Sequence, residues 1–245
     1  MVKIAAALII FFQYSLPSAV DERIIESKHL GYNVRYWVYI PKKVTETMPV
    51  LYVTDGKGYK ANGLIKVSEK LLRGDKVIPH VIVMVDTIDP DDPSVDHRNS
   101  QFLCNADYLN FYKEELIPRV EKEYNINTTR DQRGILGLSF GGLNAMYFAL
   151  HGSDVFGKIG IQSPAPHPCP TIYTDIKNSP KLPVDIFLST GIISDKEYET
   201  RKIKRILDSK GYDFKYIEVR EGHNWANWAP LFDDILLYFY GTDQK

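Results

Sequence analysis

Gly137-Leu138-Ser139-Phe140-Gly141 sets a serine between two glycines, at the spacing of a sharp turn from a strand into a helix. Such a turn lifts the hydroxyl above the strand ends. The free amides and dipole of the following helix then favour negative charge developing beside it. The chemistry this allows is attack of a serine oxygen on a carbonyl carbon, through a covalent intermediate. A serine hydroxyl is a weak nucleophile, so a base must take its proton and a third group must orient that base.

Of six histidines, His151, His167 and His223 follow Ser139. His151 ends the helix that begins at the serine, about 18 Å away at 1.5 Å per residue, and suits a helix C-terminus instead. His167 lies in a proline-rich loop with nothing evident to fix its ring. His223, in Glu221-Gly222-His223-Asn224-Trp225, follows the last expected strand and is the preferred base. The orienting acid belongs between nucleophile and histidine in chain order, after the penultimate strand. Asp195 stands there, where it would fix the imidazole tautomer and stabilise the imidazolium. It is also a good helix N-cap, and Glu197 and Asp185 are the fallbacks. Two amides should receive the oxyanion: that of Phe140, and that of Lys57 in the turn Asp55-Gly56-Lys57-Gly58, with Gly56 or Gly58 as near neighbours.

These groups need a frame, and the chain alternates strand and helix patterns throughout. Tyr32 to Ile40, Val50 to Thr54, Val77 to Val85, Gly134 to Leu138, Lys158 to Gln162, Val184 to Thr190 and Asp213 to Val219 read as strands. Helical spacing marks Ala61 to Leu72, Asn105 to about Tyr124, Phe140 to His151, Lys196 to Lys210 and Pro230 to Tyr240, with a bend expected at Pro118. The expected fold is α/β: an open, mostly parallel sheet with helices on both faces, in one domain over residues 20–245.

The first 19 residues stand apart. Lys3 precedes the apolar run Ile4 to Phe12, and small residues follow near Ser18 and Ala19, as in a secretory signal peptide. The run is too short to span a bilayer. A secreted or periplasmic location is therefore expected. The 245 residues carry 30 Lys+Arg against 31 Asp+Glu, a net charge of −1 without basic runs, which argues against a nucleic-acid partner and against membrane docking. Two cysteines cannot form a disulfide scaffold or a zinc ribbon.

Leu51-Tyr52-Val53-Thr54-Asp55-Gly56, Glu115-Leu116-Ile117-Pro118, Gly137-Leu138-Ser139-Phe140-Gly141-Gly142 and His223-Asn224-Trp225 together resemble an esterase family of the α/β-hydrolase superfamily. That family includes enterochelin (siderophore) esterases, feruloyl and acetylxylan esterases, formylglutathione hydrolases and mycolyltransferases. The resemblance runs from about Lys28 to the last helix. It implies a Ser139–His223–Asp195 triad, the Lys57 and Phe140 amides as oxyanion donors, and no metal or organic cofactor. The substrate would be a small-molecule or polysaccharide-linked ester, acetyl, feruloyl or siderophore-type. Acyl transfer of the mycolyl kind and non-catalytic ligand binding are the alternatives. Asn224 departs from the family, which often has Asp there.

Family members often carry an arginine in the segment Asp89 to Cys104, so Arg98 is expected to line the pocket or pin the loop; pairing with Asp96 or Asp92 is the simpler role. Trp225 and Trp228 either wall a substrate subsite or pack under the last helix. Cys104 and Cys169 fall on loops at the Ser139 rim of the sheet, where they could form a disulfide or remain two buried thiols.

Overall fold

A computed structural model describes residues 19–43 and 47–243. The expected signal segment lies outside the described residues apart from Ala19. The strands are β1 (Ala19–Glu26), β2 (Asn33–Ile40), β3 (Val50–Val53), β4 (Val81–Val85), β5 (Arg133–Leu138), β6 (Lys158–Gln162), β7 (Asp185–Gly191) and β8 (Phe214–Val219). They form one sheet in the order β1-β2-β4-β3-β5-β6-β7-β8. β2 runs antiparallel to both β1 and β4, and the strands from β4 through β8 in that order are parallel.

The helices are α1 (Gly56–Ala61), α2 (Leu64–Arg73), α3 (Arg98–Phe102), α4 (Ala106–Asn110), α5 (Ile117–Tyr124), α6 (Phe140–His151), α7 (Ile172–Asn178), α8 (Glu197–Ser209), α9 (Trp225–Trp228) and α10 (Phe232–Tyr240). The central strands are apolar on both faces because both are covered, and successive residues feed different cores. Val50 and Tyr52 join a cluster with α4 to α8. Leu51 and Val53 join the other, with Tyr59, Phe232 and Leu236. This is the α/β-hydrolase fold. No helix among the described residues is long and apolar enough to cross a membrane.

Three local departures from the sequence pattern have physical causes. β1 was not expected, because its polar, exposed alternation leaves only a weak apolar face at the sheet edge. The strand expected from Val77 begins only at Val81, since Pro79 has no amide to give a neighbouring strand. The helix capped by Asn105, whose side chain accepts from the Asp107 and Tyr108 amides, is interrupted by a π-helical turn over Phe111–Leu116. That wide turn sits just before Pro118, whose ring clashes with the ordinary α-helical ladder.

Candidate active site

Parallel strands deliver their C-terminal ends to one rim, and the loops that leave this rim carry the chemistry. Ser139 leaves β5 with φ 55° and ψ −117°, a backbone state that non-glycine residues adopt only when the surroundings enforce it. The enforcement is close packing. A Cβ at Gly137 would lie 2.1 Å from the Gly141 carbonyl oxygen, and one at Gly141 would lie 2.6 Å from Thr54 Oγ1. Only glycines at both positions let the turn close.

His223, on the loop after β8, has Nε2 2.9 Å from Ser139 Oγ and Nδ1 2.5 Å from Asp195 Oδ1. A carboxylate oxygen only accepts, so Nδ1 carries the hydrogen and Nε2 is free to accept the serine proton. Asp195 follows β7, and its side chain is fully buried. Burial pushes its carboxyl up. Hydrogen bonds from His223, Ser163 and the Gly191 amide outweigh that and hold it below the ordinary aspartate range.

The other acid and base candidates take no part in these hydrogen bonds. Asp185 begins β7 and pairs with Lys158, 2.9 Å away. Glu197 is in the first turn of α8. His151 ends α6 against the Tyr147 ring. His167 is exposed and meets the Phe140 ring at 5.3 Å.

Phe140 and Lys57 are first-turn residues of α6 and α1, and among the described residues neither amide is taken by a carbonyl. The Gly58 amide is taken, donating to the Asp55 carbonyl at 2.8 Å. This leaves Gly56 and Lys57 as the candidates for a second donor.

Arg98 corrects the expectation of a pair with Asp96 or Asp92. Its Nε and Nη2 donate to Asp55 Oδ1 and Oδ2 at 2.6 and 2.9 Å, and Nη2 lies 3.4 Å from the Leu138 carbonyl. Asp96 instead accepts from the Arg98 amide, and Asp92 accepts from Ser94. The bidentate fork therefore clasps the loop after β3 to the turn that carries Ser139. Burial raises the Asp55 carboxyl, against the pull of Arg98.

Trp225 opens α9 and stands edge-on to Tyr59, with centroids 5.4 Å apart. It covers Gly58, where a Cβ would meet its Cζ2 at 2.6 Å. It thus packs on α1, beside the candidate oxyanion amides. Trp228 is buried and meets the His223 ring edge-on at 5.0 Å. Cys104 and Cys169 are joined in a disulfide. Three groups around Asp195 escaped the sequence reading: Ser163, Thr190 and Asn227. The one available signal was a serine directly after β6, at the rim. A cleft of about 340 Å³ lined by Tyr39, Lys42, Leu72, Arg73, Ile78 and Pro79 lies at the opposite end of the sheet and holds none of these groups.

The fold and this cluster define the class: an α/β-hydrolase fold with a Ser–His–Asp constellation at its rim. The Esterase family, described as "Putative esterase", matches residues 27–239, and the chain belongs to that family. It is 31% identical over 144 residues to the iron(III) enterobactin esterase of Escherichia coli (strain K12), a match covering 58% of this chain and 35% of the relative. The crystal structure of the enterobactin esterase of Shigella flexneri superposes with a TM-score of 0.81 at 25% identity, over 91% of this chain and 58% of that one. A ferulic acid esterase shares the fold at a TM-score of 0.73 and 18% identity, over 91% of this chain and 97% of that one. The chain thus spans about a third of the curated relative's length.

Proposed function

We propose that this chain is a serine carboxylic-ester hydrolase with Ser139 as nucleophile, His223 as general base and acid, and Asp195 as the orienting carboxylate. Ser139 Oγ bonds to the ester carbonyl carbon while its proton passes to His223 Nε2. The Phe140 and Lys57 amides receive the oxyanion. The tetrahedral intermediate collapses by breaking the bond to the alkoxy oxygen, which takes the proton from His223. Water then repeats the sequence and frees the acid. Asp195 stabilises the imidazolium without taking its proton.

The observation that carries this reading is the unbroken chain of contacts from Ser139 Oγ through His223 to Asp195, at 2.9 and 2.5 Å. The substrate class that fits the family and the named relatives is a siderophore-type ester or a polysaccharide-linked acetyl or feruloyl ester. Export of residues 20–245 as one domain accords with the disulfide, because such bonds persist in oxidising compartments. Ser139→Ala should cut turnover of a p-nitrophenyl ester by roughly 10⁶, as in the subtilisin template. Full activity in that variant refutes the mechanism. A turnover panel of acetyl, feruloyl and siderophore-type esters separates the substrate classes.

A further inference from the structure

The hydrogen of the Ser163 hydroxyl has one place to go. Trp228 Nε1 lies 2.9 Å from Ser163 Oγ and Asn227 Nδ2 lies 3.1 Å away; both are donors that cannot accept. The remaining partner is Asp195 Oδ2, at 2.6 Å. The hydroxyl is therefore turned by its neighbours and donates to the carboxylate. The same oxygen also takes the Gly191 amide at 2.5 Å and Asn227 Nδ2 at 2.9 Å. Thr190 Oγ1 lies 3.0 Å from it, and equally 3.0 Å from the Gly191 carbonyl. With Oδ2 so enclosed, Oδ1 is left to the His223 ring.

The backbone points the same way. Ser163 is fully buried at φ 43°, a left-handed state that costs a serine and suits glycine. A serine stands at a position whose backbone suits glycine, and its hydroxyl is bonded on three sides.

We infer that Ser163, held by Trp228 and Asn227, is a positioning residue for the reaction proposed above: it fixes the Asp195 carboxylate so that Oδ1 alone faces His223. The inference rests on the esterase reading. The charged groups on the flanking elements are Lys196 and Glu197 at the start of α8, Arg220 and Glu221 on the loop before His223, and the mutually paired Arg98 and Asp55. Among the described residues none of these bonds to Asp195 or His223.

The test is Ser163→Gly, which relieves the backbone and removes the hydroxymethyl group, and with it the hydrogen bond to Asp195. Asp195 then keeps more of its charge for the imidazolium, so His223 holds its proton more tightly. The acid limb of kcat/KM for a p-nitrophenyl ester should move up by about half a pH unit or more. kcat should fall about tenfold with KM nearly unchanged, a fraction of the 10²–10⁴ that acid–base catalysis supplies. Trp228→Phe, which removes the indole N–H and keeps an aromatic ring near His223, should move the limb the same way by less. A limb that stays put in both variants overturns the inference, whether or not the amplitude falls. Ser139→Ala run alongside distinguishes the failures: an inactive Ser139→Ala with unmoved limbs rejects the role of Ser163 alone, and an active one rejects the esterase reading.

Discussion

Replacing Arg98 by methionine keeps most of the stem and removes the fork that holds Asp55. The Asp55 side chain is 13% exposed and that of Arg98 is 23% exposed, so the pair is largely but not wholly dry. Breaking a fully buried pair from one side costs about 3–5 kcal/mol, because the other charge stays behind unpaired. Partial exposure brings the expected loss nearer to about 2–3 kcal/mol. The loss should depend on pH. Asp55 already has a raised carboxyl pKa in the folded protein, so its contribution to stability is present below the unfolded value and is lost as pH rises through the folded one. Without Arg98 the folded value rises further, and the variant suffers most at neutral pH. Urea unfolding at pH 7.5 and 5.0 should show the gap to the parent protein narrowing on acidification. In an Asp55→Asn background, where no charge is stranded, Arg98→Met should cost under about 1 kcal/mol. Equal losses at both pH values, or additivity with Asp55→Asn within about 0.5 kcal/mol, would refute the clasp.

Three further outcomes are expected. Burial drives the His80 pKa down to about 4, so stability present above the unfolded histidine value drains away as pH falls from 6.5 to 4, by up to about 3 kcal/mol; His80→Gln should flatten the urea-stability profile over that window. The disulfide closes a loop with a sequence separation of 65, worth about 4 kcal/mol on chain entropy; Cys104→Ser/Cys169→Ser should lower stability by that order, and a loss under about 1 kcal/mol contradicts the estimate. Gly58→Ala would gain up to about 1 kcal/mol from helix propensity, yet the Cβ at 2.6 Å from Trp225 should turn that into a net loss. Trp225→Leu should remove the loss in the double variant, read from the urea midpoint.

Sequence spacing reached Ser139, His223 and Asp195 because each follows a strand whose apolar run is plain, and parallel strands end on one rim. The same reasoning reached Cys104 and Cys169. It missed the partner of Arg98 because Asp55 and Arg98 are 43 residues apart, and nearer aspartates offered themselves. Asp55 reads in the sequence as half of an Asp-Gly turn. Its left-handed φ of 53° fits that reading, and the carboxylate's second role is set only by the packing of α3 over the strand ends. Ser163 and Asn227 were hidden for a related reason. Their value lies in which way a hydroxyl and an amide point, and the Ser163 hydroxyl is turned by Asn227 and Trp228, on a helix 64 and 65 residues further along.

These distant contacts divide the rim into two halves. Arg98 holds the loop of the candidate oxyanion amides to the turn of Ser139. Ser163 and Asn227 hold one oxygen of Asp195, with Trp228 behind Ser163, while the other oxygen meets His223. The disulfide joins the two, since Cys104 follows the helix bearing Arg98 and Cys169 lies on the loop that begins at Ser163. The Ala165 amide on that same loop donates to the Ser139 carbonyl at 3.0 Å, so both halves meet again at Ser139. A strained serine turn persists only where its surroundings over-determine it. Here the determination comes from glycine packing within the turn, from the Arg98 clasp on one flank, and from the Ser163 loop on the other. The positions that set the geometry of Ser139 are thus spread over several loops, each short and locally ordinary, and their effect exists only in the folded sheet that gathers them.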